Sequence, residues 1–242
     1  MQVCITIDVE HDCPPYLTTY RGITEGMPRL LDLLATQGVT ATFFTTGDVA
    51  RRFPTTVRRI LDEGHELGSH GDTHKRFSLM DPTEAKAEIV NSSMILREFG
   101  GKVVSFRAPN LDFPASYVPF LRDAGFTLDS SQGSHKPGSF FKGVVMQDKV
   151  RRVPASMAPS LLRLPAPIRE AAFKLMRDPV VFFFHPWEFT DVTKEPIPLD
   201  CRFQTGQPAL DSLRSTIEWF RGRGATFYRM SDLPADAGRR AA

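Results

Sequence analysis

Cysteine is scarce in this chain, and its scarcity excludes two classes of small protein. Only Cys4, Cys13 and Cys201 occur among 242 residues. Three scattered thiols cannot form a disulfide framework, and they lack the paired spacing of a cysteine zinc site. We therefore expect all three to be reduced thiols.

Long apolar runs and a strong charge of one sign are also missing. No stretch reaches the roughly eighteen apolar residues of a membrane-spanning helix, and the first residues do not resemble a signal peptide. The formal net charge of +2 is too small to predict a nucleic-acid partner. These absences predict a cytoplasmic protein that does not act on nucleic acids.

The chain does contain enough apolar material for a large core. Hydrophobic residues make up 41% of it, and no repeat, low-complexity stretch or linker divides it. We expect a single domain over residues 1–242.

Short β-rich runs alternate with helical patterns, which favours a mainly parallel sheet or barrel. The predicted strands are Val3–Ile7, Val39–Thr45, Glu66–Ser69, Val103–Phe106, Phe126–Leu128, Val180–Phe184 and Thr226–Tyr228. The predicted helices are Glu25–Gln37, a helix from Pro54 to Gly64, one from Pro82 to near Gly100, Pro114–Ala124 and Ala209–Arg221. Lys136–Pro167 is the least regular segment, and we interpret it as a lid or a substrate-facing excursion.

Ionisable residues follow the ends of five predicted strands. They are Asp8, His70, Arg107, Asp129 and His185. The carboxyl ends of the strands in a parallel barrel open on one face, where catalytic groups lie. The pattern therefore predicts an active site at that face.

His70 and His74 are four residues apart, and both imidazoles can bind one ion if this stretch is helical. Strand alternation points Asp8 and Glu10 the same way, so one carboxylate can bind the metal while the other stays free. Two histidines and a carboxylate leave room for water, as hydrolytic metal sites do. The alternative is a pair of surface histidines and a hydrated loop at Glu10.

Three further residues suit acid–base chemistry. Arg107 ends an apolar strand and needs a carboxylate such as Asp8, either for catalysis or as a structural ion pair. His185 follows an apolar strand, and Asp129 is a carboxylate that could orient it, as general acid–base pairs require. The alternatives are a core histidine at 185 and a simple turn at 129.

At these residues the sequence resembles the polysaccharide deacetylases of carbohydrate esterase family 4, the NodB-type domain, from about Val3 to Asp232. The five motif regions in order are Thr6–Glu10, Ser69–His74, Arg107–Pro109, Asp129–Ser131 and Phe184–Pro186. Val9 stands where the family commonly has a second aspartate. This variant is similar to a branch that includes deacetylases and deformylases of lipid-linked amino sugars, so we assign the ligand role to Glu10.

The resemblance implies an α/β fold, a distorted (β/α) barrel of roughly seven parallel strands. It also implies a metal-dependent hydrolase that removes an N-acetyl or formyl group from an amino sugar. Glu10, His70 and His74 would hold one divalent ion, with zinc first and cobalt, nickel or manganese also suited to these ligands. The implied catalytic set is Asp8 as base, Arg107 beside it, His185 as acid oriented by Asp129, and the backbone N–H of Asn110 at the oxyanion.

Other functions stay open at this point. The scaffold also suits hydrolysis of another linear or cyclic amide, and a non-catalytic carbohydrate-binding module is the alternative outside enzymes. The substrate could be lipid-linked, because apolar and basic residues interleave over Leu161–Arg177 as they do on membrane-contacting surfaces. A buried helix with basic ends would give the same composition.

Overall fold

A computed structural model of the protein describes residues 1–134 and 143–238. Its strands are β1 (Gln2–Val9), β2 (Thr42–Thr45), β3 (Glu66–Ser69), β4 (Ser105–Phe106), β5 (Leu128–Asp129), β6 (Val145–Gln147), β7 (Val150–Arg152), β8 (Val180–Phe184) and β9 (Thr226–Phe227). They form one sheet in the order β6-β7-β5-β4-β3-β2-β1-β8, and β9 pairs with β1. The pairs are parallel except β6 with β7.

The sheet curls into a ring that one bridge closes. Beyond the end of β7, Ala155 bridges Gly133, and Met157 bridges Phe182 of β8. Within the described part of the chain, the parallel strands β8, β1, β2, β3, β4, β5 and β7 therefore surround one interior. The predicted distorted barrel of about seven parallel strands is confirmed.

Helices cover the outside of this ring. They are α1 (Met27–Gln37), α2 (Gly47–Arg52), α3 (Pro54–Asp62), α4 (Pro82–Arg97), α5 (Val118–Asp123), α6 (Pro159–Leu162), α7 (Ala166–Phe173), α8 (Leu199–Arg202) and α9 (Gln207–Arg221). None of the helices in the described ranges is long and apolar enough to cross a membrane.

The alternation of β1 separates the core from the interior of the barrel. Val3, Ile5 and Ile7 pack into the largest apolar cluster with residues of α1, β8 and α9. The intervening side chains point the opposite way, so Thr6 and Asp8 lie inside the barrel. The first strand thus supplies both packing and chemistry.

Most predicted elements are present, and β3 and β8 have the predicted limits. The helix expected from Glu25 begins at Met27 instead, because Gly22–Gly26 forms a π-helical turn before it. The six-residue helix α2 was not predicted from the sequence. Of the predicted excursion Lys136–Pro167, residues 136–142 lie outside the described residues, and the rest contains β6, β7, α6 and the start of α7.

Candidate active site

Glu10, His70 and His74 meet at the carboxyl end of the barrel. Glu10 Oε2 lies 2.5 Å from His74 Nε2 and 3.1 Å from His70 Nε2. One ligand atom from each residue falls within 4.8 Å of the others. The structure therefore brings together the three residues predicted to hold a metal.

These three residues come from neighbouring strands and one loop. β1 and β3 both pair with β2, so Glu10 after β1 and His70 after β3 emerge at the same end. The condition that residues 70–74 be helical is not met, because Gly71 and His74 have φ angles of 76° and 62° and the stretch is a loop. This loop, not a helical turn, places His74 beside His70.

Helix α4 supports the loop through one carboxylate. Glu88 Oε2 accepts hydrogen bonds from the backbone N–H groups of Asp72 and Thr73, at 2.7 and 2.9 Å. The Glu88 side chain also binds the hydroxyl of Thr73. Backbone donors that a helix would satisfy internally are thus satisfied by a side chain, which fixes the loop in its non-helical shape.

The donor set fits a divalent cation. His70 Nδ1 lies 2.8 Å from the carbonyl oxygen of Arg107, which accepts its ring N–H, and the other ring nitrogen, Nε2, faces Glu10. Two imidazole nitrogens and a carboxylate oxygen form a common set of zinc ligands.

The electrostatics of the cluster also favour positive charge beside Glu10. Burial by itself would raise the pKa of Glu10, but the charge of His74 and hydrogen bonds from His70 and His74 hold this pKa well below its usual range. Burial would lower the pKa of His74, and the Glu10 carboxylate outweighs it and raises this pKa. A buried negative charge is thus kept next to a site that attracts a cation.

Asp8 and Arg107 form the predicted ion pair inside the barrel. Arg107 Nη1 lies 2.8 Å from Asp8 Oδ1 and 2.7 Å from Thr6 Oγ1, and Arg107 is fully buried. Its other donors bind the carbonyl and hydroxyl oxygens of Ser130. The pair holds Asp8 one strand period from Glu10, on the same face.

His185 lies at the edge of the cluster, with Glu188 as its partner. His185 Nδ1 is 2.8 Å from Glu188 Oε1, and its Nε2 is 3.8 Å from Glu10 Oε1. Burial would lower the pKa of His185, but the hydrogen bond with Glu188 and the charge of Glu10 raise it to about 9. The ring stacks on Trp187 with an interplanar angle of 18°.

The expectation that Asp129 orients His185 is wrong. The parallel register of β5 and β7 sets Asp129 opposite Arg152, and Asp129 Oδ2 lies 2.8 Å from Arg152 Nε. Its other oxygen binds the backbone N–H and the hydroxyl of Ser131. Asp129 is therefore held by an arginine and a serine rather than by the histidine.

The spacing of His185 and Glu188 in the sequence is a local signal for their pairing. Residues three apart face each other across one helical turn, and Pro186–Phe189 forms such a turn directly after His185.

Asn110 lies in another short turn, with a φ angle of 60°. The oxyanion role of its backbone N–H stays a prediction.

Comparison with known proteins gives a family. A sequence model described as polysaccharide deacetylase matches residues 4–128, just over half of the chain. The chain is 35% identical over 85 residues to a peptidoglycan-N-acetylglucosamine deacetylase of Bacillus cereus, an alignment covering 35% of this chain and 31% of that protein. The chain spans between 31% and 56% of the length of the first curated relatives it matches.

Solved structures show the same fold at low sequence identity. A family 4 carbohydrate esterase from Streptomyces lividans superposes with a TM-score of 0.64 and 17% identity, covering 99% of this chain and 96% of that one. A family 4 pseudoenzyme from Bacillus anthracis gives a TM-score of 0.66 and 16% identity, covering 98% and 68%. The fold is thus compatible with active and inactive proteins, and the family match over half of the sequence shows that this chain belongs to the polysaccharide deacetylase family.

Proposed function

We propose that the chain is a metal-dependent hydrolase that removes the N-acetyl group from an amino sugar in a glycan or glycoconjugate. The observation that carries this proposal is the cluster of Glu10, His70 and His74, with the buried Asp8–Arg107 pair and His185 close to it. The Bacillus cereus relative, whose name specifies an N-acetylglucosamine substrate, supports the amino sugar and the acyl group.

Glu10, His70 and His74 would hold one divalent cation, with zinc as the first candidate and cobalt, nickel and manganese suited to the same donors. Such an ion, when bound, lowers the pKa of water and polarises the amide carbonyl group.

The protein's own residues have separate tasks in this proposal. Asp8 accepts the proton of the attacking water as general base, and Arg107 fixes the orientation of Asp8 through a 2.8 Å ion pair. His185 donates a proton to the leaving amine. The 17% exposure of its side chain leaves the ring accessible to a substrate.

The proposal is tested by measuring acid release from a substrate panel. Purified protein, stripped of metal and reconstituted with defined ions, is mixed with N-acetylated amino sugars, nucleotide sugars and lipid-linked glycans. We expect acetate release that a chelator abolishes and zinc restores. Release of formate would show that the acyl group is formyl, and a ring-opened acid would show that the substrate is a cyclic amide. Glycan binding without any turnover would contradict the proposal.

A lipid-linked substrate or contact with a membrane is a second candidate, supported by exposed apolar side chains. Leu161, Ile168 and Leu175 are 42%, 56% and 83% exposed. Two of the basic residues in this segment do not support it. Arg163 and Arg169 are only 6% exposed, and they donate hydrogen bonds to carbonyl groups of the protein.

Vesicle binding tests this second candidate. We expect the protein to sediment with vesicles of phosphatidylglycerol and phosphatidylcholine, and the double variant Ile168→Gln, Leu175→Gln to lose this binding because it removes exposed apolar area. Met94→Gln makes a matched change at a 63% exposed residue of α4 and should bind as wild type. Recovery of all the wild-type protein away from the vesicles would contradict membrane contact.

A further inference from the structure

The carboxylate of Glu188 is completely buried behind His185. Glu188 has no exposed surface, and its Oε1 accepts hydrogen bonds from the backbone N–H of His185 at 2.9 Å and from the ring at Nδ1, 2.8 Å away. Two bonds from one residue to one oxygen fix both the backbone and the ring of His185. The ring nitrogen left over, Nε2, faces Glu10 and the candidate metal ligands.

Arg163 forms an ion pair with the other oxygen of this carboxylate. Arg163 Nη1 lies 3.4 Å from Glu188 Oε2, and both side chains are almost fully buried. The guanidinium group of Arg163 donates to the carbonyl oxygens of Asp200 and Cys201, at 2.6 and 2.9 Å. A buried carboxylate needs such a counterion, since an unpaired charge inside a protein is costly. Arg163 therefore supplies the counterion of the Glu188 carboxylate.

We propose that Glu188, held by Arg163, is the residue that positions His185 for proton donation to the leaving amine, a task that Asp129 does not perform in this chain. This inference rests on the proposed function. In the step concerned, the proton on His185 Nε2 forms a new N–H bond as the C–N bond breaks, and the electron pair of the broken bond stays on nitrogen. The acyl carbon keeps the oxygen gained from water, and the imidazole is left neutral with its Nδ1–H donating to Glu188.

Comparing substrates with different leaving groups shows whether Glu188 positions the acid or only supports the fold. An amide nitrogen must be protonated in order to leave, whereas the phenolate of 4-nitrophenyl acetate leaves without a proton. Loss of a residue that positions the acid should lower amide hydrolysis selectively. Loss of a purely structural residue should lower the hydrolysis of both substrates by the same factor, because it lowers the fraction of folded enzyme. The ratio of the two rates is thus independent of how much protein folds.

The test compares Glu188→Gln with wild type on an N-acetylated amino sugar and on 4-nitrophenyl acetate. We expect kcat for the amide to fall by about a hundredfold with KM nearly unchanged, and ester hydrolysis to fall far less. Glu195→Gln makes the same chemical change on a partly exposed carboxylate and should leave the ratio as it is. Asp129→Asn should lower both rates together, because it disturbs the buried pair with Arg152.

A double-variant cycle shows whether Glu188 acts through His185. Adding Glu188→Gln to a His185→Gln protein should cause little further loss of amide activity, because residues that act as one unit are not additive. Equal losses on amide and ester, or wild-type amide activity in Glu188→Gln, would overturn the inference while leaving the proposed function intact. A wild-type protein inactive on every amide would overturn the proposed function and the inference with it.

Discussion

Arg107 shows how single residues set up the chemistry of this site. The residue is fully buried, and its guanidinium group binds Thr6, Asp8 and Ser130 while it lies 4.3 Å from the ring centre of Phe44. A buried arginine is tolerated only when its charge and donors are matched in this way. Its role therefore includes both holding Asp8 and filling the interior of the barrel.

Replacing Asp8 tests both parts of that role. We expect Asp8→Asn to lower the rate of deacetylation by about a hundredfold or more, because an amide cannot accept the proton of water. The variant should also unfold at a lower denaturant concentration, since Arg107 loses its counterion. Steady-state kinetics and urea titration measure the two effects. Asp211→Asn, on the exposed face of α9, is the matched control, and wild-type activity in folded Asp8→Asn would contradict the role of base.

Individual residues were predictable where local rules determine their position. Asp8 and Glu10 share a face because strands alternate, and this relation can be obtained from the sequence. The partner of Asp129 depends on the register between β5 and β7, which are separated by the twenty residues 130–149 without a clear sequence pattern. The sequence could not reveal that register, so Asp129 was assigned to His185 rather than to Arg152.

Helix α4 stabilises the loop that carries His70 and His74 through Glu88, and the first turn of this helix depends on Asp81. Asp81 Oδ1 accepts hydrogen bonds from the backbone N–H groups of Thr83 and Glu84, at 2.7 and 2.9 Å, and Glu84 completes a capping box. The pair of Asp81 and Pro82 predicted this helix start from the sequence. Glu88, one turn further along, is the residue that fixes the loop.

Removal of this cap should weaken the helix by a measurable amount. We expect Asp81→Ala to lower the free energy of unfolding by about 1 kcal/mol, because two backbone donors lose their acceptor. Urea titration followed by circular dichroism measures it. Glu98→Ala removes the same charge from the other end of α4, where a negative charge is unfavourable, and should be neutral or slightly stabilising. A wild-type free energy of unfolding in Asp81→Ala would contradict the role of the cap.

A buried histidine links two neighbouring strands at the opposite end of the barrel. His65, 5% exposed, accepts the backbone N–H of Ala41 at Nδ1, 3.1 Å away, and β2 and β3 begin directly after these two residues. Burial lowers the pKa of His65 more than the nearby Glu63 raises it. The neutral ring is thus the form that the folded protein prefers.

Because the folded protein prefers the neutral ring of His65, its free energy of unfolding falls as the pH is lowered. An unfolded chain takes up the proton at its usual pKa of about 6.5, and the folded protein does so only at lower pH. The contribution of His65 is therefore fully present above about pH 6.5 and is lost as pH falls from there toward the lowered pKa of the folded state. Urea titrations at several pH values should show that the free energy of unfolding of the wild type falls as pH falls. The same quantity should fall less steeply with pH in His65→Asn. If the free energy of unfolding of His65→Asn depended on pH as that of the wild type does, His65 would not be the group responsible.

The whole molecule brings together residues that are far apart in the chain. β1, β3, β4 and β8 end near one another, so that residues 8, 70, 107 and 185 share a site although they span most of the sequence. The alternation of strands and helices predicted a mainly parallel sheet or barrel, and the family resemblance implied the distorted barrel. The closing bridge between Met157 and Phe182 was not predictable, because it follows an irregular segment and pairs residues with no sequence signal. The single domain over residues 1–242 and the cytoplasmic location stay predictions.

A calorimetric titration with zinc tests the central claim about this molecule most directly. We predict one equivalent bound by the metal-stripped wild type, and binding at least about a hundredfold weaker in the double variant His70→Ala, His74→Ala, because two of the three ligands are gone. His11→Ala is the matched control, since its ring lies 5.4 Å from that of His74 but is not one of the three ligands, and it should keep one equivalent. Zinc bound by the double variant with the stoichiometry and affinity of the wild type would contradict the account.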